Sequence, residues 1–263
     1  MYAFNYHKPD TLDAALAALA QGEDAKLVAG GMTLLPTMKQ RLASPSDLID
    51  LGGVKDLRGV REEGGKVVVG AMTRHIDVAT SDVVKARIPA LADLAIHIGD
   101  PQVRNRGTMG GSVANADPAA DYPAAVVALG ATVKTNKREI AGEDFFTGLF
   151  ETALEEGELI TSIAFPVPER AAYMKFRNPA SRYAIVGVFV AKGPAGVRVA
   201  VTGAGPSVFR VPEMEQALSA NWSPDAVAGI KVPADGLNAD IHASAEYRAH
   251  LVTVMAKRAV AKS

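Results

Sequence analysis

Short apolar runs alternate with polar, glycine-rich breaks along this chain, and no single period runs through it. Leu12, Ala15, Leu16 and Leu19 recur at helical spacing behind Asp10 and Thr11, either of which can cap the helix, and Gly22 suits its end. Residues 26–29 read as a short buried strand, 34–42 as a helix with Pro36 in its first turn, and 48–51 as another strand. Residues 59–61 and 66–69 pair across Glu62-Glu63-Gly64-Gly65. Thr73 is placed to cap a helix reaching Ser81, and 88–98 carries Leu91, Leu94, Ala95 and Ile98 at helical spacing. A short helix is expected over 124–129, with strands over 131–135 and 159–165. Residues 183–191 and 197–202 form a hairpin around Lys-Gly-Pro-Ala-Gly, and 211–220 and 243–262 read as helices, the last ending in Lys257, Arg258 and Lys262. Pro166-Val167-Pro168 marks a boundary, so three units are expected: 1–55, 56–168 and 171–263.

Composition narrows the function. The chain has 263 residues, 48% hydrophobic and 22% charged, with 28 basic against 29 acidic side chains and a net charge of −1. No basic run points to nucleic acid and no acidic tail to disorder. No apolar stretch nears the ~20 residues of a membrane span, and MYAFNYHKPDTLDAAL lacks the pattern of a signal peptide, so the cytoplasm is the expected location. There is no cysteine, which excludes disulfides, a thiol nucleophile and an all-cysteine iron–sulfur cluster on this chain. His7, His75, His97, His242 and His250 show no metal-binding spacing, so no metal is expected. No nucleophile–base–acid set is visible either, and no catalytic residue is assigned.

The candidate chemistry sits in two side-chain-poor segments. KLVAGGMTLL (26–35) sets Gly30-Gly31 beside Thr33, and RNRGTMGGSVANADPAADYP (104–123) sets Gly110-Gly111 between Thr108 and Ser112. Glycine lets a backbone approach a ligand closely, and successive exposed N–H groups make a concavity for an anion. Two such loops can grip a diphosphate, with Thr33, Thr108, Ser112 and Asn115 bonding sugar-like hydroxyls. Gly52-Gly53 and Gly64-Gly65 read as plain turns. Gly203-Ala-Gly205 has Val208 where a dinucleotide fingerprint needs its third glycine, and there is no GxxxxGK. His97 reads as a helix-end histidine, and Asp100 and Asp117 as turn residues.

AGGMTLLP, followed some eighty residues later by RNRGTMGGSVANADPAADYP, resembles the FAD-binding medium subunit of the molybdenum hydroxylases, the group of aerobic carbon monoxide dehydrogenase and xanthine dehydrogenase. DIHASAEYRAHLV, at 240–252, is close to that family's ending, so the resemblance covers the chain end to end. It implies an α+β fold: an FAD-binding domain of the vanillyl-alcohol-oxidase (PCMH) type, made of two α/β subdomains, followed by a three-stranded antiparallel sheet with helices. It implies non-covalent FAD with its diphosphate between the two segments. The residues it implicates are Leu27, Val28, Ala29, Gly30, Gly31, Met32, Thr33 and Leu34 in the first segment, and Thr108, Met109, Gly110, Gly111, Ser112 and Asn115 in the second. Asp121 matches a carboxylate that holds a ribityl or ribose hydroxyl; read alone, it is an N-cap. Lys175 matches a flavin-contacting lysine, though MKFR alone reads as a strand with a surface lysine. Ile98 and Ile160 match apolar cofactor-lining positions or are core. Tyr183 lies near the isoalloxazine or in the core. Arg104 and Arg106 support the diphosphate or pair with Asp100 and Asp117. Met32 stands where relatives often carry histidine or glutamine.

The same resemblance implies an oxidoreductase subunit. Electrons would come from a molybdopterin centre on a large partner, through [2Fe-2S] clusters on a small partner, to FAD, and on to oxygen, a quinone or NAD+. The implied assembly is a dimer of heterotrimers. The alternative is a stand-alone FAD-dependent oxidase or reductase of the same fold.

Overall fold

A computed structural model describes residues 1–263. Near the N-terminus, β1 (Asn5–His7), β2 (Ala25–Val28) and β3 (Asp47–Asp50) form a parallel sheet in the order β1–β3–β2. Thr11 caps the helix Leu12–Gln21 by accepting the Ala14 N–H at 3.2 Å, and Ala15 buries with Ile49 and Leu51. Strand β1 had no signal in the sequence, because its three side chains are all exposed. It is held by its ladder and by side-chain bonds from Tyr6 to Asp50 (2.6 Å) and between His7 and Asp47 (2.7 Å). The helix expected over 34–42 is shorter, Leu34–Lys39, and Arg41 just beyond it takes a left-handed φ of 62°.

The middle of the chain builds an antiparallel sheet. Its strands are β4 (Val60–Glu63), β5 (Lys66–Gly70), β6 (Thr132–Thr135) and β7 (Glu139–Ala141); after a small hairpin of β8 (Phe146–Gly148) and β9 (Glu151–Thr152) comes β10 (Ile160–Pro166), and the order is β4–β5–β10–β6–β7. Gly64 and Gly65 turn the β4–β5 hairpin with φ of 56° and 74°, the twist-compatible geometry of a two-residue loop. Apolar residues of β5, β10 and the helices Pro89–Ile96 and Tyr122–Ala128 merge into the largest core cluster.

One expectation fails here, and a second is borne out with trimmed ends. Thr73 caps nothing; its hydroxyl bonds the N–H and C=O of Gly59, and the helix His75–Thr80 starts without a side-chain cap. The helix expected over 88–98 is present as Pro89–Ile96, one residue shorter at its start and two at its end. Pro89 pushes Ile88 out of helical conformation (φ −139°, ψ 67°), which separates Asp82–Arg87 from Pro89–Ile96.

The last part carries β11 (Arg170–Arg177), β12 (Ala184–Gly193), β13 (Gly196–Thr202) and a two-residue β14 (Phe209–Arg210), antiparallel in chain order. Three long strands match the expectation, and β14 adds a short fourth. Val186, Val188, Val190, Val199 and Val201 pack with Val252, Met255 and Ala259 of the helix Ala245–Lys262. Tyr173, Phe189, Ala191 and Ala200, on the opposite face, join the core of the middle sheet. Both faces of β12 are therefore covered, so the partial alternation read over 183–191 is in fact a strand buried on both sides from Ala184 to Ala191. No helix is long and apolar enough to cross a membrane.

Glu158 fastens the turn before β10. Its fully buried carboxylate accepts bonds from Thr135 Oγ1 (2.7 Å), the Glu155 N–H (2.9 Å) and Arg138 Nε (3.1 Å). The Arg138 guanidinium, first among these, lowers the carboxyl from 4.5 to about 2. A depressed folded value stabilises the fold above pH 4.5, and that contribution disappears as pH falls through 2. Glu158→Gln is expected to lose about 1–3 kcal/mol in urea unfolding at pH 7, with the gap to wild type closing as pH drops across that window.

Candidate functional site: a cleft where the three sheets meet

A cleft of about 620 Å³ opens between the three sheets. Its walls come from Lys26–Leu34 of the first unit, from Gly107, Thr108, Gly110–Ser112, Asn115, Ile98 and Ile160 of the second, and from Ser181–Tyr183 of the third. Leu27, Val28, Ala29, Gly30, Gly31, Met32, Thr33 and Leu34 all line it, as do Thr108, Gly110, Gly111, Ser112, Asn115, Asp121 and Tyr183.

The first wall is a strand end that turns into a helix. The chain leaves β2 at Ala29, turns through Gly31 (φ 72°) and enters the helix Leu34–Lys39. The N–H groups of Gly30, Gly31, Met32 and Thr33 have no acceptor in the chain, and the Thr33 side chain makes no capping bond. Gly30 and Gly31 are half-buried and Met32 and Thr33 exposed, so water can reach these donors, and four successive free N–H groups on a cleft wall form a concavity suited to an anion.

The second glycine segment is built differently from the expected loop. Residues 104–106 close the helix Pro101–Arg106, and Thr108 caps a new helix, Met109–Asn115, by accepting the Gly111 N–H at 3.2 Å. Its other amides are committed as well: Met109 donates to Thr73 O (2.9 Å), Gly110 to Ala71 O (2.8 Å) and Ser112 to Thr108 O (3.0 Å). The expectation that main-chain amides of both segments grip a diphosphate is therefore corrected. The first segment offers amides; the second offers the side chains of Thr108, Ser112 and Asn115. The glycines here serve close approach. A Cβ on Gly110 would lie 2.5 Å from Ala71 Cβ, and one on Gly30 would lie 2.2 Å from Arg106 O and 2.7 Å from Gly107 Cα, so the two segments touch backbone to backbone.

A buried polar cluster sits at Asp121. Its side chain makes no N-cap bond. Instead its Oδ1 accepts from Tyr173 Oη at 2.5 Å and its Oδ2 from Lys175 Nζ at 3.0 Å. Lys175 is 5% exposed, so the surface-lysine reading of MKFR is wrong; it also donates to His97 O at 3.0 Å. Burial pushes the Asp121 carboxyl up, opposed by the Lys175 charge and the Tyr173 hydroxyl. The segment before it is stapled to the third sheet: Thr202 Oγ1 donates to Ala120 O (2.6 Å) and the Gly203 N–H to Pro118 O (2.7 Å).

Ile98 is positioned by three cations that sequence reasoning did not connect. Lys175 takes the carbonyl of His97, Arg104 takes those of Ile98 (3.0 Å) and Gly99 (2.9 Å), and Arg182 reaches Gly99 O at 3.5 Å. Positive charge on carbonyls following a helix is favourable. Arg104 thus neither faces an anion nor pairs with an aspartate, and Arg106 is exposed without an ion pair. His97 ends its helix as read, with Nδ1 bonded to Asp93 O at 2.7 Å. Asp100 caps Val103 N–H (2.8 Å) and Asp117 accepts from Ala119 N–H (2.9 Å).

Tyr183 stands at the rim, 46% exposed, so the core reading fails. Its hydroxyl is raised by burial and by the Asp117 and Asp121 charges, and Asp117 is itself raised by burial. Ile160 is buried with one face on the cleft. Met109 lies wholly in the core and does not reach the cleft. Of the wall residues that sequence reasoning missed, His75 is the most distinctive. It is buried against Gly107, lowered to about 4 first by burial and then by the Arg104 charge, and its Nδ1 has no partner. Nothing in Thr-Arg-His distinguishes it from any helix start.

Comparison with known proteins agrees in sequence and in shape. Residues 2–168 match the family described as FAD binding domain in molybdopterin dehydrogenase. The chain is 38% identical to the carbon monoxide dehydrogenase medium chain of Hydrogenophaga pseudoflava, over 98% of this chain and 96% of that one. It is 37% identical to the nicotine 6-hydroxylase medium subunit of Paenarthrobacter nicotinovorans, over 99% and 97%. Among solved structures, reconstituted CO dehydrogenase from Oligotropha carboxidovorans superposes with a TM-score of 0.90 at 35% identity, covering 99% of this chain and 97% of that one. On the match over 2–168, the end-to-end identity and the shared fold, this chain belongs to the FAD-binding family of the molybdopterin dehydrogenases.

Proposed function

We propose that this chain is the FAD-binding electron-transfer subunit of a molybdenum-containing dehydrogenase. One observation carries the cofactor reading: four adjacent N–H groups without acceptors, Gly30 to Thr33, open onto a cleft whose wall includes Asp121, itself paired with the buried Lys175 behind that wall. An extended dinucleotide needs donors for its diphosphate, hydroxyl partners for its sugar chains and an apolar slot for its ring. The first are the amides of 30–33; the second are Thr108, Ser112, Asn115 and Asp121; the third is walled by Ile98, Ile160 and Tyr183. The volume lies within the range of cofactor clefts, roughly 300–1,000 Å³. The residues present fit FAD, bound without a covalent link to sulfur.

Bound FAD supplies the redox chemistry of the subunit. The chain's own residues bind and orient it: the free amides fix the diphosphate, Asp121 accepts a hydroxyl of the ribityl or ribose part, and Lys175 sets a positive charge beside the site. Met32, 38% exposed on the wall, contributes its N–H and no side-chain hydrogen bond. The chain carries no cysteine to hold an all-cysteine cluster, and this reading assigns the [2Fe-2S] clusters and the molybdopterin to partner chains. The partners proposed are a large molybdopterin-binding subunit and a small [2Fe-2S] subunit, in a cytoplasmic dimer of heterotrimers, with 1–55, 56–168 and 171–263 as the domains of this chain. The electron acceptor beyond the flavin is oxygen, a quinone or NAD+.

The test is mass action on the native state. FAD at a hundredfold excess over its Kd contributes about 2.7 kcal/mol, and the melting temperature of the cofactor-free chain is expected to rise by roughly 5–10 °C. A melting temperature indifferent to FAD, together with a colourless protein when co-expressed with its partners, would defeat the reading.

A further inference from the structure

We propose that Tyr173 is a positioning residue for the cofactor site, acting through Asp121. The inference rests on the flavin reading above and identifies what orients the inner carboxylate of that site. Asp121 stands where a helix cap belongs, yet it makes no cap bond. Its carboxylate is held by two side chains alone, Tyr173 at 2.5 Å and Lys175 at 3.0 Å. These two residues are i and i+2 on β11, so both leave the same face of the sheet and converge on one carboxylate.

The hydroxyl of Tyr173 serves no packing purpose. The residue is 3% exposed, its ring lies 6.1 Å from that of Phe189 in the main core, and phenylalanine would fill the same space without burying a polar atom. A buried hydroxyl is costly unless paired, and the one partner of this hydroxyl is a carboxylate on the cleft wall. The neighbouring strand leaves room for it. Gly187 stands opposite Lys175 in the ladder, and a Cβ there would lie 2.2 Å from Tyr173 Oη, so any side chain would displace the hydroxyl. The φ of Gly187 is not left-handed; what the position requires is space.

An ionised carboxylate has about four acceptor sites. Tyr173 and Lys175 occupy part of that capacity and fix the plane of the group, and the remainder faces the cleft to receive a hydroxyl. Without Tyr173, Lys175 alone directs the carboxylate, and the carboxylate turns toward the ammonium. Burial, which already raises the Asp121 carboxyl, then acts on a group with one stabilising donor fewer.

The experiment uses the full 263-residue chain as wild type, Tyr173→Phe, Asp121→Asn and the double variant. FAD affinity is read by quenching of flavin fluorescence, and the two-electron potential of the bound flavin by equilibration with a reference dye. Tyr173→Phe is expected to keep its far-ultraviolet circular dichroism, to bind FAD about tenfold more weakly, and to shift the potential by about 30 mV for each tenfold difference in how tightly the two redox forms bind. The double variant is expected to match Asp121→Asn in both readings, because Tyr173 has then lost the group it acts through. Wild-type behaviour of Tyr173→Phe, or losses that multiply in the double variant, overturns the inference while leaving the flavin reading in place. Failure of the wild-type chain itself to bind FAD overturns both.

Discussion

Gly30→Ala is expected to weaken FAD binding by more than about a hundredfold and to lower stability by about 1–3 kcal/mol. The added Cβ would meet Arg106 O at 2.2 Å and Gly107 Cα at 2.7 Å, and both atoms are backbone, so no side chain can rotate away. The protein relieves the overlap only by parting the two segments or by twisting the 30–33 turn, and either change scatters the four free amides. The smaller cost is to the fold and the larger to the site, because donors that are to share one anion depend on a common direction. Gly229→Ala is the matched control: nothing lies within 4 Å of its Cβ position and its φ is −92°, so stability is expected to stay within about 0.5 kcal/mol and FAD affinity to be unchanged. Urea unfolding and flavin fluorescence measure both. Binding by Gly30→Ala within threefold of wild type would show that the contact between the segments does not matter to the cofactor.

The same contact explains what the sequence revealed and what it hid. The glycine pairs announced close backbone approach, and Gly30 shows that approach at its extreme. Yet identical-looking pairs do unlike things. Gly30-Gly31 leaves its amides free, whereas Gly110 and Gly111 spend theirs on Ala71 and Thr108, because Thr108 happens to start a helix there. A capping threonine before two glycines looks the same on paper as a loop. Buried strands such as β10 and β12 were legible from their apolar content, over 159–165 and 183–191, while β1, with three exposed side chains, is defined by its pairing alone and left no trace. Lys175 was misread from MKFR because its surroundings lie 54 residues away at Asp121 and 78 away at His97. The resemblance proposes it as a flavin contact, and only the structure reveals that it is buried. Tyr173 and His75 were invisible for the same reason: their chemistry is set by neighbours distant in sequence, Asp121 for the first and Gly107 and Arg104 for the second.

Asp121→Ala is expected to destabilise the cofactor-free protein by about 3–5 kcal/mol, the usual cost of stripping one partner from a buried ion pair. Lys175 Nζ would keep only His97 O, in a setting where 5% of the side chain meets solvent. An ammonium so placed must either stay charged without a counter-ion or give up its proton, and both penalise the folded state. Tyr173 would lose its one acceptor as well, leaving a second polar group unpaired in the core. The reverse change is milder. Lys175→Met removes the cation and leaves Asp121 with Tyr173, and a carboxyl already raised by burial can take up a proton and stay bonded to that hydroxyl. A loss of about 1–3 kcal/mol is expected for Lys175→Met. The two variants therefore separate under urea even though they break the same pair, and both bind FAD weakly. Equal losses from the two would mean that the pair is solvated and that neither charge is sequestered, which would remove the physical basis for assigning the cluster a role at the flavin.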